Sequence, residues 1–371
     1  MRRLILFSAS IILVLLATTL LVLYGKGYRF NFNEKKIAGT GILSISSTPS
    51  GAEVYLNDGL KDATNTNIQN LSPGKYRVKL SKEGFSDWEK EVEIVKERVT
   101  PIEASLFPSA PNLSALTFSG VASPKLSPDG QKIAYTVENK EKTGLWVLDT
   151  GNRQLIFSKA PQHVAKDTGE FSFSKSDFIW SGDSSSLLVS GKNSAGKLRN
   201  YLLDAGKLNE SFTDVSSGSQ QLKAGWQDDE KIKKSDRLKR LGKEIEAKTK
   251  GAEKTLFSPD EERVLIISKT KKPLVYDTKP SLIPGTKPAY FEIPQALDYI
   301  WYPSTGRHII LVKKDSIGIV EADGQNDKTI YTGEFNREAV FPWPDGSRLV
   351  IATTLNNAVS KKPNLYSISL R

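Results

Sequence analysis

Cysteine is absent from this 371-residue chain, and histidine occurs only at His163 and His308. The first absence removes disulfides, thiolate metal ligands and a cysteine nucleophile. The second argues against a multi-histidine metal centre, and no cofactor is implied. No Gly-x-Ser-x-Gly elbow occurs, and the two histidines fall in different repeat units without a convincing serine partner. No Lys- and Arg-rich block with interleaved aromatics stands out either. The formal net charge of +10 is therefore read as lysines spread over strand edges and loops, where they discourage edge pairing. Nucleic acid is not expected as a partner.

Charge is also missing from the 21 residues Leu4 to Tyr24, "LILFSASIILVLLATTLLVLY". At 1.5 Å per residue a helix of that length spans a hydrocarbon core of roughly 30 Å. The run ends in "LVLYGKGYRF", without the small-x-small site that a cleaved signal peptide requires. Residues 4–24 are thus expected to contact membrane lipid as an uncleaved, single-pass signal anchor. Tyr24 and Tyr28 suit the interface. Arg2 and Arg3 on one side face Lys26, Arg29, Lys35 and Lys36 on the other, so counting basic residues does not orient the helix. A cytoplasmic amino terminus is chosen because long domains translocate largely regardless of charge.

From Gly41 to about Phe107 the pattern has period two. "GILSISS" leads to a turn at Pro49-Ser50-Gly51-Ala52, and "AEVYLN" follows with Ala52, Val54 and Leu56 on one face. Asn57-Asp58-Gly59 and Ser72-Pro73-Gly74 are further turn signals. Tyr76, Val78 and Leu80 share a face, and the last strand is placed through Val92 and Ile94. Short strands at this spacing predict a small antiparallel sandwich. Pro49-Ser50-Gly51-Ala52 followed by "LSPGKYRVKLSKEGFSDW" resembles a PEGA domain, with Ser50 in place of the signature Glu. The likeness covers about one sixth of the chain. It implies an extracytoplasmic binding or spacer module without enzymatic activity. Trp88 and Tyr76 are expected in its core.

"LFPSAPNLSAL" carries two prolines and no strong period, and reads as a hinge. Beyond it five related stretches recur: "LSPDGQKIAYT", "WSGDSSSLLVS", "FSPDEERVLII", "WYPSTGRHIILV" and "PWPDGSRLVIA". Their turns fall near Asp129, Asp183, Asp260, Ser304 and Asp345, at intervals of 54, 77, 44 and 41 residues. The last two intervals match one four-stranded propeller blade. Pro128, Pro259 and Pro344 fix φ; Asp129, Asp260 and Asp345 supply a side-chain hydrogen bond; Gly130 and Gly346 supply a permissive backbone. These residues are read as hairpin formers, as are Pro49, Gly51, Ala52, Pro73 and Gly74. The motif is similar to that of TolB-type, WD-repeat-like propellers. Outer strands are expected at "RQLIFS" and "KTIYTG", and "LSALTFSG" is expected to close the ring against the last unit.

The 77-residue interval contains an insertion rich in helix formers, about 226–250, with Leu238, Leu241 and Ile245 on one face. Ten Lys or Arg stand against seven Asp or Glu between Gln227 and Lys254, a solvated face with one docking stripe. Trp226, Leu238, Leu241 and Ile245 are the candidate ligand or partner contacts.

The expected fold is mainly β. Residues 1–25 form a cytoplasmic tip and transmembrane helix, 26–40 a juxtamembrane linker, 41–107 a PEGA-like β-sandwich, and 108–371 a β-propeller of about five blades with the helical insertion. The expected function is a non-catalytic binding or scaffold module at the cell membrane, its carboxy-terminal domains outside, with an envelope protein or wall polymer as partner. Two alternatives stand beside it. One is a wall or carbohydrate binder using Trp146, Trp180, Trp226, Trp301 and Trp343, three of which, Trp180, Trp301 and Trp343, fit packing between blades better. The other is a propeller glycoside hydrolase, for which acids such as Glu138, Asp149 and Asp167 would have to converge.

Overall fold

The computed structural model describes residues 2–25, 28–31, 36–139, 141–151, 160–270, 272–278, 288–303, 305–355 and 362–371. The turn position Ser304 and the outer strand expected at 153–158 lie outside them. The chain divides into two compact units, Met1–Ser109 and Ala110–Arg371.

In the first unit, helix α1 covers Arg2–Gly25. Its large apolar side chains are exposed along its length, Leu13 at 68% and Leu21 at 75%, and by length and composition it could cross a membrane or serve as a signal sequence. The expected linker is not featureless: Tyr28–Asn31 and Lys36–Gly39 pair as an antiparallel hairpin. The Tyr28 hydroxyl donates to the Glu97 carboxylate at 2.6 Å.

Two sheets then form the sandwich. One holds Glu53–Leu56, Gly59–Ala63, Gly74–Ser81 and Trp88–Ile94; the other holds Gly41–Thr48, Thr66–Leu71 and Val99–Ser105. The wholly antiparallel expectation is corrected here. Val99–Ser105 lies parallel to Gly41–Thr48, because the chain crosses the other sheet before returning beside its first strand. That last strand is also additional to the expected set. Pro101 obscures it in the sequence, yet it is an edge strand, where a missing N–H is tolerated. Between the sheets Leu43, Ile45, Val54, Val78, Leu80, Trp88 and Ile102 form the core, with Tyr76 packed against it.

The second unit contains five four-stranded antiparallel sheets in tandem. Blade 1 comprises Ala122–Leu126, Lys132–Val137, Gly144–Asp149 and Gln162–Lys166. Blade 2 comprises Asp177–Trp180, Ser186–Lys192, Leu198–Asp204 and Thr213–Asp214. Blade 3 comprises Ala252–Phe257, Arg263–Ser268, Pro273–Asp277 and Tyr290–Glu292. Blade 4 comprises Asp298–Trp301, His308–Val312, Ser316–Glu321 and Lys328–Thr332. Blade 5 takes Val340–Pro342, Arg348–Thr353 and Asn364–Ser369 from the chain's end and Leu113–Ala115 from the unit's start.

That exchange closes a five-bladed propeller. Leu113 pairs with Ile368 and Ala115 with Tyr366. The Leu116 N–H donates to the Leu365 carbonyl at 2.8 Å, and the Leu365 N–H donates to the Thr117 hydroxyl at 2.9 Å. A strand edge that would otherwise template aggregation is thereby paired.

Apolar side chains of neighbouring blades interdigitate. Ile133, Tyr135 and Leu148 of blade 1 meet Val350, Ala352 and Leu365 of blade 5. Ala134, Leu145 and Val147 meet Phe178, Leu187 and Val189 of blade 2. Leu265 and Val275 of blade 3 meet Tyr299, Ile309 and Leu311 of blade 4.

The insertion follows blade 2. It begins earlier than expected, as helix α2 at Ser219–Lys239, and continues after a break as α3 at Lys243–Thr249. Lys223 Nζ reaches Ser190 Oγ of blade 2 at 3.3 Å, whereas Arg237 and Arg240 pair with Glu261 of blade 3 at 3.1 and 3.3 Å. Leu241 and Ile245 are buried with Val264, Ile266 and Tyr276 of blade 3, and Leu238 packs against them. The helical pair thus braces blade 2 to blade 3.

Candidate functional site

Alternate strand connections emerge on opposite faces of an antiparallel blade. The first-to-second strand turns define one face, the turn face; the second-to-third and blade-to-blade connections define the other, the loop face.

On the turn face the repeated motif builds one device. In blade 1 the Ser127 hydroxyl donates to Asp129 Oδ1 at 2.5 Å, which also accepts the Gln131 N–H at 3.0 Å; the Lys132 N–H donates back to Ser127 Oγ at 2.9 Å. Ser181, Asp183, Ser185 and Ser186 repeat it in blade 2, and Ser258, Asp260, Glu262 and Arg263 in blade 3. In blade 5 Asp345 Oδ1 accepts the Ser347 N–H at 2.8 Å. The residue after the Asp is left-handed in all four: Gly130 at φ 72°, Ser184 at 61°, Glu261 at 57° and Gly346 at 72°. The turn conformation therefore persists where its glycine does not.

In blades 1 to 3 these contacts favour the ionised carboxylate. Around Asp129 burial opposes ionisation, but Ser127, the Gln131 N–H and Ser184 outweigh it and the net shift is downward. Exposed Asp183, held by Ser181 and Ser185, falls to about 2. The motif also staples blades together. Asp129 N–H donates to Ser184 Oγ at 3.1 Å, and the Tyr302 hydroxyl donates to the Gly346 carbonyl at 2.5 Å.

In the sandwich, Gly51 is left-handed at φ 74° and Gly74 lies at φ 146°. Ala52 is fully buried, and its N–H donates to the Thr64 hydroxyl at 2.9 Å. Pro49 and Pro73 occupy the turns leading into these strands.

The tryptophans separate by task. Trp180 Nε1 donates to the Lys125 carbonyl at 3.1 Å, and Trp301 Nε1 to the Leu256 carbonyl at 3.0 Å, each in the preceding blade. Trp343 packs in the cluster between blades 5 and 1 under the Arg348 guanidinium. Trp226 is half-buried on α2. The proposed stripe of Leu238, Leu241 and Ile245 is corrected as a partner surface: it is spent on blade 3, because burying it there is what docks the helices. Glu138, Asp149 and Asp167 do not converge. Asp149 ends its strand at the turn face, Glu138 pairs with Lys362 at 2.9 Å, and Asp167 accepts from Ser174.

Trp146 stands apart. A cavity of about 350 Å³ opens on the loop face of blade 1, walled by Trp146 and His163 and rimmed by Glu141, Lys142, Lys166 and Asp167. The indole and imidazole stack with centroids 4.1 Å apart and planes 11° from parallel. A bulge opposite Leu145 and Trp146 skips Val164 and sets His163 directly across from Trp146. Gly144, at φ 137°, admits this geometry: a Cβ there would collide with the Ala165 carbonyl and come within 2.5 Å of His163 Nε2. Burial pushes the imidazole below its ordinary value, so it is neutral at neutral pH. Its buried Nε2 has no hydrogen-bond partner of good geometry among the described residues. Sequence reasoning noted Trp146 and His163 separately; only the bulge makes them a pair.

Compared with known proteins, residues 40–109 match the PEGA domain family. They are a PEGA domain. Its two sheets, and the buried Ala52 of the signature, are those described above. No curated protein shows a significant match to the chain. Solved structures similar to it include TolB from Acinetobacter baumannii, at 14% identity, 79% of this chain, 59% of that chain and TM-score 0.24. The β-propeller domain of the Trilobed protease from Pyrococcus furiosus matches at 12% identity, 90% of this chain, 84% of that one and TM-score 0.20. The alignment thus spans less than two thirds of the TolB chain, and the propeller assignment rests on the strand order given above, outside the PEGA domain.

Proposed function

We propose that this chain is a membrane-anchored envelope protein whose PEGA domain and propeller lie outside the cytoplasmic membrane, and that the propeller is a non-catalytic binding module working through its loop face. The apolar helix α1 supports the anchor, and the PEGA domain is a module associated with the envelope.

The observation that carries the reading is an asymmetry between the two propeller faces. On the turn face, the recurring aspartate corners are committed to holding turns and neighbouring blades, and two large apolar side chains, Leu208 at 38% and Tyr290 at 59%, are exposed there among the described residues. At the loop-face ends there are four: Phe118 at 77%, Leu198 at 59%, Leu297 at 62% and Leu355 at 51%. The larger share of exposed apolar groups on the loop face favours it as the interaction surface.

Two measurements test this. Protease added to intact cells should digest the carboxy-terminal units, and their full protection refutes the location. Leu198→Asp with Leu297→Asp should abolish co-purification of an envelope protein or wall polymer without changing the melting temperature. Retained co-purification removes the loop face as the binding face.

A further inference from the structure

We infer that the Trp146–His163 cavity is a subsite for a neutral sugar ring. The inference rests on the reading of the loop face as the binding face, and it names the ligand class of one place on that face.

Three features of the cavity select this chemistry. Its wall is aromatic: Trp146 and His163 both line it, and because the rings stack on each other at 4.1 Å, the surface they leave uncovered is what meets the C–H face of a pyranose. Its rim is polar but electrically balanced. Glu141 and Asp167 supply acceptors, Lys142 and Lys166 supply donors, and His163 is neutral. A hydroxyl both donates and accepts, so a rim holding two carboxylates and two ammoniums matches a ring of hydroxyls. A phosphate or a single carboxylate would leave two of the four charges opposed to it. The volume of about 350 Å³ lies at the small end of ligand pockets, roughly 300–1,000 Å³, which suits one ring at the end or in the middle of a polymer.

The site is also constructed. A left-handed glycine and a strand bulge together bring His163 against Trp146. Trp180 and Trp301 spend their indole N–H groups on the preceding blade's backbone. Trp146 donates to the Lys142 carbonyl at 3.0 Å, which ties the rim lysine's loop to the edge of the ring. Asp167 keeps its orientation through the Ser174 N–H at 2.8 Å and hydroxyl at 2.6 Å.

The test uses the full chain in phospholipid nanodiscs, which avoids sugar-headed detergents. Saturation-transfer NMR is recorded with cellotriose, with the trimer of N-acetylglucosamine, and with inorganic phosphate as the anionic control. Saturation should reach ring C–H protons of at least one saccharide. Trp146→Ala and, independently, Lys166→Ala should each weaken that binding roughly tenfold. Lys166 is exposed, so its variant should unfold like the parent and report on binding even if Trp146→Ala does not fold. No transfer to either saccharide, or transfer that both variants leave unchanged, overturns the inference. Loss of saccharide binding with the loop-face co-purification intact defeats the inference alone. Saccharide binding by a chain protected from external protease defeats the location alone.

Discussion

The carboxylate of Asp260 in blade 3 accepts the backbone N–H of Gly306 in blade 4 at 2.8 Å. Blade 4 has no aspartate of its own at the corresponding turn, "WYPSTG", so a neighbour's carboxylate serves it. Gly306 must be small for this: a Cβ there would approach Asp260 Oδ1 to 2.5 Å. Asp260 Oδ1 meanwhile takes Ser258 and the Glu262 N–H, so both oxygens are engaged. Asp260→Asn would place an amide donor against one of these donors. It should cost about 1 kcal/mol in denaturant unfolding, and no loss would show that the staple contributes nothing.

The acid dependence of stability should carry the mark of Asp183. Its folded value of about 2 lies below the ordinary 3.8. The unfolded state therefore takes up a proton first as pH falls, and stability is lost between about 3.8 and 2. Melting temperatures of parent and Asp183→Asn should differ most above this window and converge at its lower end. Parallel curves throughout contradict the turn assignment.

Gly144→Ala tests the architecture of the cavity. The new Cβ meets the Ala165 carbonyl, and φ 137° is hostile to any L side chain. A destabilisation of about 1–3 kcal/mol is expected, with a changed near-ultraviolet dichroism as Trp146 and His163 part. An unchanged spectrum would mean the stack does not depend on Gly144.

Ring closure makes a prediction about the start of the second unit. Deleting residues 112–120 removes the Leu113–Ala115 strand and the Thr117 contacts. The melting temperature should fall by about 5–10 °C, with more aggregation from the exposed edge of Asn364–Ser369. An unaltered melting curve would show that closure is dispensable.

The insertion should separate buried from exposed. Ile245→Ala opens a hole in the contact with blade 3 and should cost about 2–4 kcal/mol. Ile232→Ala, on a helix side chain 58% exposed, should change stability by less than about 0.5 kcal/mol. Equal effects would refute the docking of α3.

Local hairpin grammar made much of the propeller legible. The Ser-x-Asp pattern closes within five residues, so its turns can be read from the chain, and even Ser184 and Glu261 keep the left-handed slot. Val99–Ser105 was hidden because Pro101 argues against a central strand, and only the sheet order reveals it as an edge. The stripe of Leu238, Leu241 and Ile245 was visible as apolar, but a helix face carries no label saying whether its partner is another protein or the next blade.

The amino-acid order by itself determined the apolar amino-terminal helix, the two β-rich units and the hairpin corners, because each depends on residues within one or two turns of chain. Tertiary structure alone decided which aspartate serves which blade, where the insertion docks, and that Trp146 faces His163 across a cavity. Those pairings are set by a bulge, a ring closure and sheet-on-sheet packing, which join residues whose separation in sequence carries no record of their distance in space.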